Sequence, residues 1–173
     1  MSDAIVIVEY DPAWPSEFVR LRDRAQAALG DVAIAIEHVG LTAVPGLPAK
    51  NLIDMVVVVE SDDDVNEASS RLETIGYRAR GNLGVEGREA FSWPEGEKRH
   101  HLYVSPTTSA ELQAQVAFRD RLRSDPAVAR AYVALKRELA ERHRDDRLAY
   151  TEAKTEFIEA TLGNRATAGS RRG

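Results

Sequence analysis

The sequence predicts an α/β domain in which a mixed, mostly antiparallel sheet packs against helices. Three observations predict it. Two Val- and Ile-rich runs, 34–39 and 52–59, are too short for helices and flank a loop punctuated by Gly40, Pro45, Gly46 and Pro48. Two further strand-like runs, 88–93 and 100–105, lie either side of a Pro94–Glu97 segment suited to a hairpin connection. Apolar residues at three- and four-residue spacing recur near the start, in the middle and through the last third of the chain.

Each element follows in order. Residues 4–9 alternate weakly and read as a short strand, and Asp11 to Pro15 form a turn. Pro15 suits the first turn of a helix whose stripe is Phe18, Leu21, Ala25, Ala28 and Leu29, with Gly30 as its stop. The run 52–59 is apolar apart from Asp54, so it belongs inside a sheet with both faces covered. Asp62, Asp63 and Asp64 read as the N-cap and first-turn acids of a helix that buries Val65, Ala68, Leu72 and Ile75 and ends at Gly76. Residues 77–80 read as a strand, and the glycine-rich turn 81–87 lacks the spacing of a phosphate loop. In the run 100–105, His100, Leu102 and Val104 share one face while His101 and Tyr103 share the other. Three helices close the chain: one over Leu112, Val116, Phe118 and Leu122, one capped by Asp125 with Pro126 at its first position, and one capped by Asp145 or Asp146. The third buries Ala153, Phe157 and Ile158 and is expected to end at Gly163. A single domain over 1–163 and a small, basic, disordered tail over 164–173 are expected.

Composition narrows the function classes. The 173 residues contain no cysteine, which removes disulfides, thiolate metal sites and cysteine nucleophiles. Nothing reaches membrane-spanning length and no secretory leader pattern is present, so a cytoplasmic protein is expected. The net charge of −5 makes nucleic acid an improbable partner. Charge is uneven, however: residues 1–116 carry 10 Lys/Arg against 19 Asp/Glu, and residues 117–173 carry 13 against 9. A local basic patch in the second part could attract a small anion such as a nucleotide phosphate.

Asp54 is the main candidate for chemistry, because an ionised carboxylate in an apolar strand is costly unless something pairs with it. Other polar groups could join it. Glu37 lies on a neighbouring strand, His101 on a later one, Lys50 in the loop before Asp54, and Arg119 and Arg123 on one helical stripe. Lys136 and Lys154 are further cations. These residues admit two readings, a ligand pocket or a salt-bridge network that fixes helices onto the sheet. At least one of Arg119 and Arg123 is expected to face Asp54 and pair with it when no ligand is bound.

Several stretches resemble the GrpB family. They are Ile36-Glu37-His38-Val39-Gly40, Thr42-Ala43-Val44-Pro45-Gly46-Leu47, Ala49-Lys50 and Ile53-Asp54 at the centre. Tyr10-Asp11-Pro12-Ala13-Trp14-Pro15 is similar to the family's opening, Arg99-His100-His101-Leu102 to its His-rich strand, and Phe118 to Arg123, Leu135-Lys136 and Tyr150 to Lys154 to its helical end. The resemblance implies a nucleotidyltransferase-like α/β fold with flanking helices and a helical C-terminal region. It also implies an enzyme acting on a small molecule with a nucleoside triphosphate. The alternative is a non-catalytic module, with a degenerate site, that binds a nucleotide or other anion or serves for docking.

The resemblance assigns roles residue by residue. Asp54 would be the metal ligand, with Glu37 and His101 as catalytic partners, and Gly40, Thr42, Lys50, Arg119 and Arg123 would hold substrate phosphate. In such folds a glycine followed by serine precedes two acids at i and i+2, which share a strand face and bind metal. Here Leu41 stands where the serine usually does, and Asp54 follows after twelve intervening residues. Val56 occupies the position of the second acid, and Tyr103 stands where relatives often have histidine. With one acid, Mg²⁺ is expected to arrive only with the nucleotide. Association with dephospho-CoA kinase is a further expectation, since the family also occurs fused to that enzyme.

Overall fold

Alternation along one strand divides the protein into two layers. The structure, a computed structural model, describes residues 6–169. Its sheet contains β1 (Ala35–Val39), β2 (Asp54–Val59), β3 (Arg78–Ala79), β4 (Glu89–Ser92) and β5 (His101–Pro106), ordered β1-β2-β5-β4-β3. Strand β2 pairs antiparallel with β1 and parallel with β5, and the other pairings are antiparallel. The expected mixed, mostly antiparallel sheet is therefore present.

The helices are α1 (Trp14–Leu29), α2 (Asp62–Glu73), α3 (Ala110–Ser124), α4 (Pro126–Arg142) and α5 (Arg147–Gly169). On one face of the sheet, Met55, Val57, Val59, Leu102 and Val104 pack with Leu21, Ala25 and Leu29 of α1 and with Ala68 and Leu72 of α2. On the other face, Val39, Val56 and Val58 pack with Leu112 of α3. Both faces of β2 are thus covered, as its nearly unbroken apolar run requires. Burying each of the valine, leucine and methionine side chains among them contributes about 1.5–3 kcal/mol. The last three helices are tied by rings: Phe118 meets Tyr132 edge-on at 4.9 Å, and Tyr132 stacks with Phe157 at 5.3 Å.

Local chemistry sets the element ends. Pro15 lies in the first turn of α1, and Gly30 leaves the helix with φ +57°. Asp125 accepts from the Val128 N–H to start α4, and Asp146 accepts from the Ala149 N–H to start α5. The start of α2 differs from expectation. Ser61 is its N-cap, and Asp64 reaches back to accept from the Ser61 N–H and hydroxyl. The three aspartates are all first-turn residues, where the helix dipole favours them.

Two terminal expectations change. Within the described part of residues 4–9, Val8 forms a single antiparallel bridge with Ala49 in place of a strand. Helix α5 runs through Gly163 to Gly169, because its backbone hydrogen bonding continues past the glycine. Residues 170–173 of the expected tail, and residues 4 and 5 of the expected strand, lie outside the described residues.

Candidate functional site

The site starts where β2 starts. Register places Asp54 between Val39 of β1 and His101 of β5, so the three share one sheet face. His101 Nδ1 lies 2.7 Å from Asp54 Oδ1. A carboxylate oxygen accepts here, so Nδ1–H donates to Oδ1 and Nε2 is turned away from Asp54. Asp54 and His101 are each about one-third exposed (side chains 29% and 34%), so the pair borders solvent at the end of the sheet.

Gly40 completes this corner in a way the motif does not suggest. It has φ +76°, and a β-carbon there would lie 2.6 Å from Asp54 Oδ2. Glycine is thus required both by the backbone and by the close approach of the carboxylate. One Asp54 oxygen is oriented by His101 and the other is seated against Gly40.

The remaining expected residues separate into two groups. Glu37 shares the Asp54 face but pairs with Arg119, whose Nη1 also donates to the His38 carbonyl at 3.0 Å. Arg123 donates twice to the Ala43 carbonyl, at 2.9 and 2.7 Å. The expected pairing of Asp54 with a helical arginine is therefore corrected. Both arginines pin α3 to β1 and to the turn that follows it, and His101 is the partner of Asp54. Thr42 is 3% exposed, its hydroxyl held between His38 Nε2 at 2.9 Å and the Leu52 carbonyl at 3.3 Å, which makes it a loop fastener. His38 stacks on Phe18, with ring centres 4.6 Å apart, and does not pair locally with Glu37.

A second set of residues gathers near Asp54. Lys50 and Lys154 each place Nζ 5.7 Å from the centre of the Tyr150 ring, and Lys136 places its own 5.8 Å from that of Tyr132. Lys136 is only 8% exposed. Burial, reinforced by the positive charges of Lys154 and Lys50, pushes its ammonium down to about 7, while Asp54 opposes the shift. Burial also lowers Lys50 and Lys154. The Tyr150 hydroxyl is buried with no hydrogen-bond partner among the described residues. On the same sheet face as Asp54, Arg88 lies 4.4 Å over the Tyr103 ring.

Of this set only Lys50 was among the site residues expected from the motif; Lys136 and Lys154 stood as further cations. A usable signal lay in the helices. Neither Lys136 nor Lys154 has an acid three or four residues away, unlike Arg142, which pairs with Glu138. Arg88 carried no such signal.

The position of the second metal-binding acid is filled by Val56, 1% exposed and packed with Leu112. Among the described residues no group of three or more His, Cys, Asp or Glu side chains could hold a metal. Two open concavities, at residues 141–146 and around Tyr77 and Trp93, include none of these groups.

The mixed sheet with flanking helices is a nucleotidyltransferase-like fold, as its likeness to solved structures shows. Cid1 poly(U) polymerase bound to MgGTP aligns with it at a TM-score of 0.57 and 14% identity, over 79% of this chain and 45% of that one. Within that class the chain belongs to the GrpB family, whose profile, described as GrpB protein, matches residues 4–164. The crystal structure of the conserved protein GrpB from Enterococcus faecalis aligns at a TM-score of 0.74 with 30% identity, covering 91% of this chain and 99% of that one. The UPF0157 protein YqkA of Bacillus subtilis is 31% identical over 92% of this chain, which spans 47% of that protein, about half its length. A dephospho-CoA kinase of Mycobacterium bovis is 30% identical over 89% of this chain, which spans 44% of the kinase. Among the described residues no helix is long and apolar enough to cross a membrane.

Proposed function

We propose that the chain binds a phosphorylated small molecule, a nucleotide in the simplest case, at the mouth of β2 and β5, as a module whose nucleotidyltransferase site is degenerate. One observation carries this reading: buried Lys136 has no carboxylate partner among the described residues and stands with Lys50 and Lys154 in the field of Asp54. A buried ammonium without a partner is costly, and a phosphate group would relieve that cost. The apolar surroundings of Val56 favour binding over metal-dependent nucleotidyl transfer.

A second reading rests on the Asp54–His101 pair. An imidazole oriented by a carboxylate, with its other nitrogen free to accept a proton, is the arrangement of a general base. It supports an enzyme acting on the bound molecule. The proposed kinase association fits the first reading, since such a module fused to or docked on an enzyme needs no turnover of its own.

The test is calorimetric titration of the full chain with nucleoside mono-, di- and triphosphates, followed by a radiolabel transfer assay with Mg²⁺ or Mn²⁺. Binding without transfer is expected. Metal-dependent transfer abolished by Asp54→Asn would establish the enzyme reading, and no binding to any nucleotide would remove the proposal.

A further inference from the structure

Three cations come together here from three separate parts of the chain. Lys50 is in the loop between β1 and β2, Lys136 in the middle of α4, and Lys154 in α5. They do not form a solvated helix face, because their side chains lie against Tyr132 and Tyr150 rather than beside acids. Like charges assembled at partly or fully buried positions repel one another and weaken the fold. The negative group that bears on all three is Asp54, and its oxygens are already engaged by His101 and seated against Gly40. One carboxylate facing three ammonium groups leaves an excess of positive charge. Arg147 adds its field to Lys50 and Lys154, and Glu111 bears on Lys154. The ring of Tyr150 lies under two of the lysines, and its buried hydroxyl has no hydrogen-bond partner among the described residues.

We infer, building on the phosphate-binding reading above, that Lys50, Lys136 and Lys154 themselves supply the countercharge for the ligand, which carries at least two negative charges on phosphate-type oxygens and binds without a divalent ion. With all three lysines protonated in the complex, the balance against Asp54 calls for a dianion or a more highly charged ligand. A divalent cation entering the same space would meet three ammonium groups against Asp54, with Glu111 bearing on Lys154 alone, the reverse of what Mg²⁺ requires. The lysines thus occupy the electrostatic role that paired acids and metal play elsewhere in this fold class. A phosphate monoester, a pyrophosphate or the polyphosphate of a nucleotide all satisfy this chemistry.

Calorimetry of the full chain with inorganic phosphate, pyrophosphate, AMP and ATP, each in EDTA and in excess Mg²⁺, tests the inference. Binding in EDTA at least as tight as in Mg²⁺ is expected, since Mg²⁺ competes with the lysines for the phosphate oxygens. Lys136→Met should weaken binding at least about tenfold, while the ligand-free protein melts at a higher temperature. Arg142→Met, an exposed charge removed elsewhere, should change neither. If Lys136→Met does not fold, Lys154→Met gives the same test. Binding that needs Mg²⁺ would overturn the inference and leave the phosphate-binding reading standing. Acetate, titrated alongside as a monoanion, should not bind, and equal binding of it would overturn the charge class. Binding of none of the phosphates would overturn both.

Discussion

Gly40 and Asp54 show how one residue's geometry constrains another across the site. The left-handed φ at Gly40 is costly for any side chain, and a β-carbon would collide with the Asp54 carboxylate. Gly40→Ala is expected to lower stability by about 2 kcal/mol or more and to weaken phosphate binding, read from urea melts and calorimetry on one preparation. A melt within error of the parent would show that this corner relaxes freely. Tyr150 makes the opposite case. Its hydroxyl has no hydrogen-bond partner among the described residues, so Tyr150→Phe should raise stability by about 1 kcal/mol while reducing anion affinity. Lost stability in that variant would mean that the hydroxyl already has a partner, such as ordered water.

At the scale of elements, α3 is fastened to β1 by ion pairing and carbonyl capture. Arg119 is nearly enclosed, with its side chain 10% exposed, whereas Glu37 is 33% exposed. Removing one partner leaves the other charge poorly compensated. Arg119→Met should cost about 1–3 kcal/mol, and adding Glu37→Met should cost less than the sum of the single changes, in a double-mutant cycle followed by denaturant unfolding. Anion affinity should change little, because Arg119 is already held by Glu37, Asp120 and the His38 carbonyl. A large affinity loss at unchanged stability would return Arg119 to the ligand site. Strand β2 gives a companion result. Val56→Asp would place a carboxylate where exposure is 1%, and should destabilise the protein by several kcal/mol, about the penalty for an unpaired buried charge.

The whole molecule responds to acid through buried histidines. His38 packs between Phe18 and Thr42, and burial lowers its imidazolium to about 4 from an ordinary 6.5. Arg123 and Arg119 push in the same direction, while Asp54 opposes them. Burial likewise lowers His100, whose Nε2 meets the Tyr77 hydroxyl at 2.7 Å. The sign follows from which state takes the proton first. The unfolded chain protonates His38 near 6.5 and the folded chain near 4, so stability is full above 6.5 and is lost as pH falls between those values. The loss from His38 alone should reach up to about 3 kcal/mol. Melting temperature measured from pH 7 to 4 should fall, and His38→Phe should flatten the slope. A parent slope that the substitution leaves unchanged would assign the acid response to other groups.

The sequence by itself determined the order of the main helices and strands from α1 onward, the cap at Asp125, the opposed faces of His100 and His101, and the family; it left the cap of α5 open between Asp145 and Asp146. It also marked Asp54, since a lone acid in an apolar run is visible without coordinates. These are short-range relations: two-residue alternation, three- and four-residue spacing, and side chains that bond their own backbone. Only the tertiary structure decided the partners. Arg119 meets Glu37 across 82 residues of chain, Asp54 meets His101 across 47, and the lysines of a loop and two helices gather near one carboxylate. No periodicity carries such information, because those contacts depend on how α3, α4 and α5 dock on the sheet, and docking follows the packing of apolar surfaces far from the charges themselves.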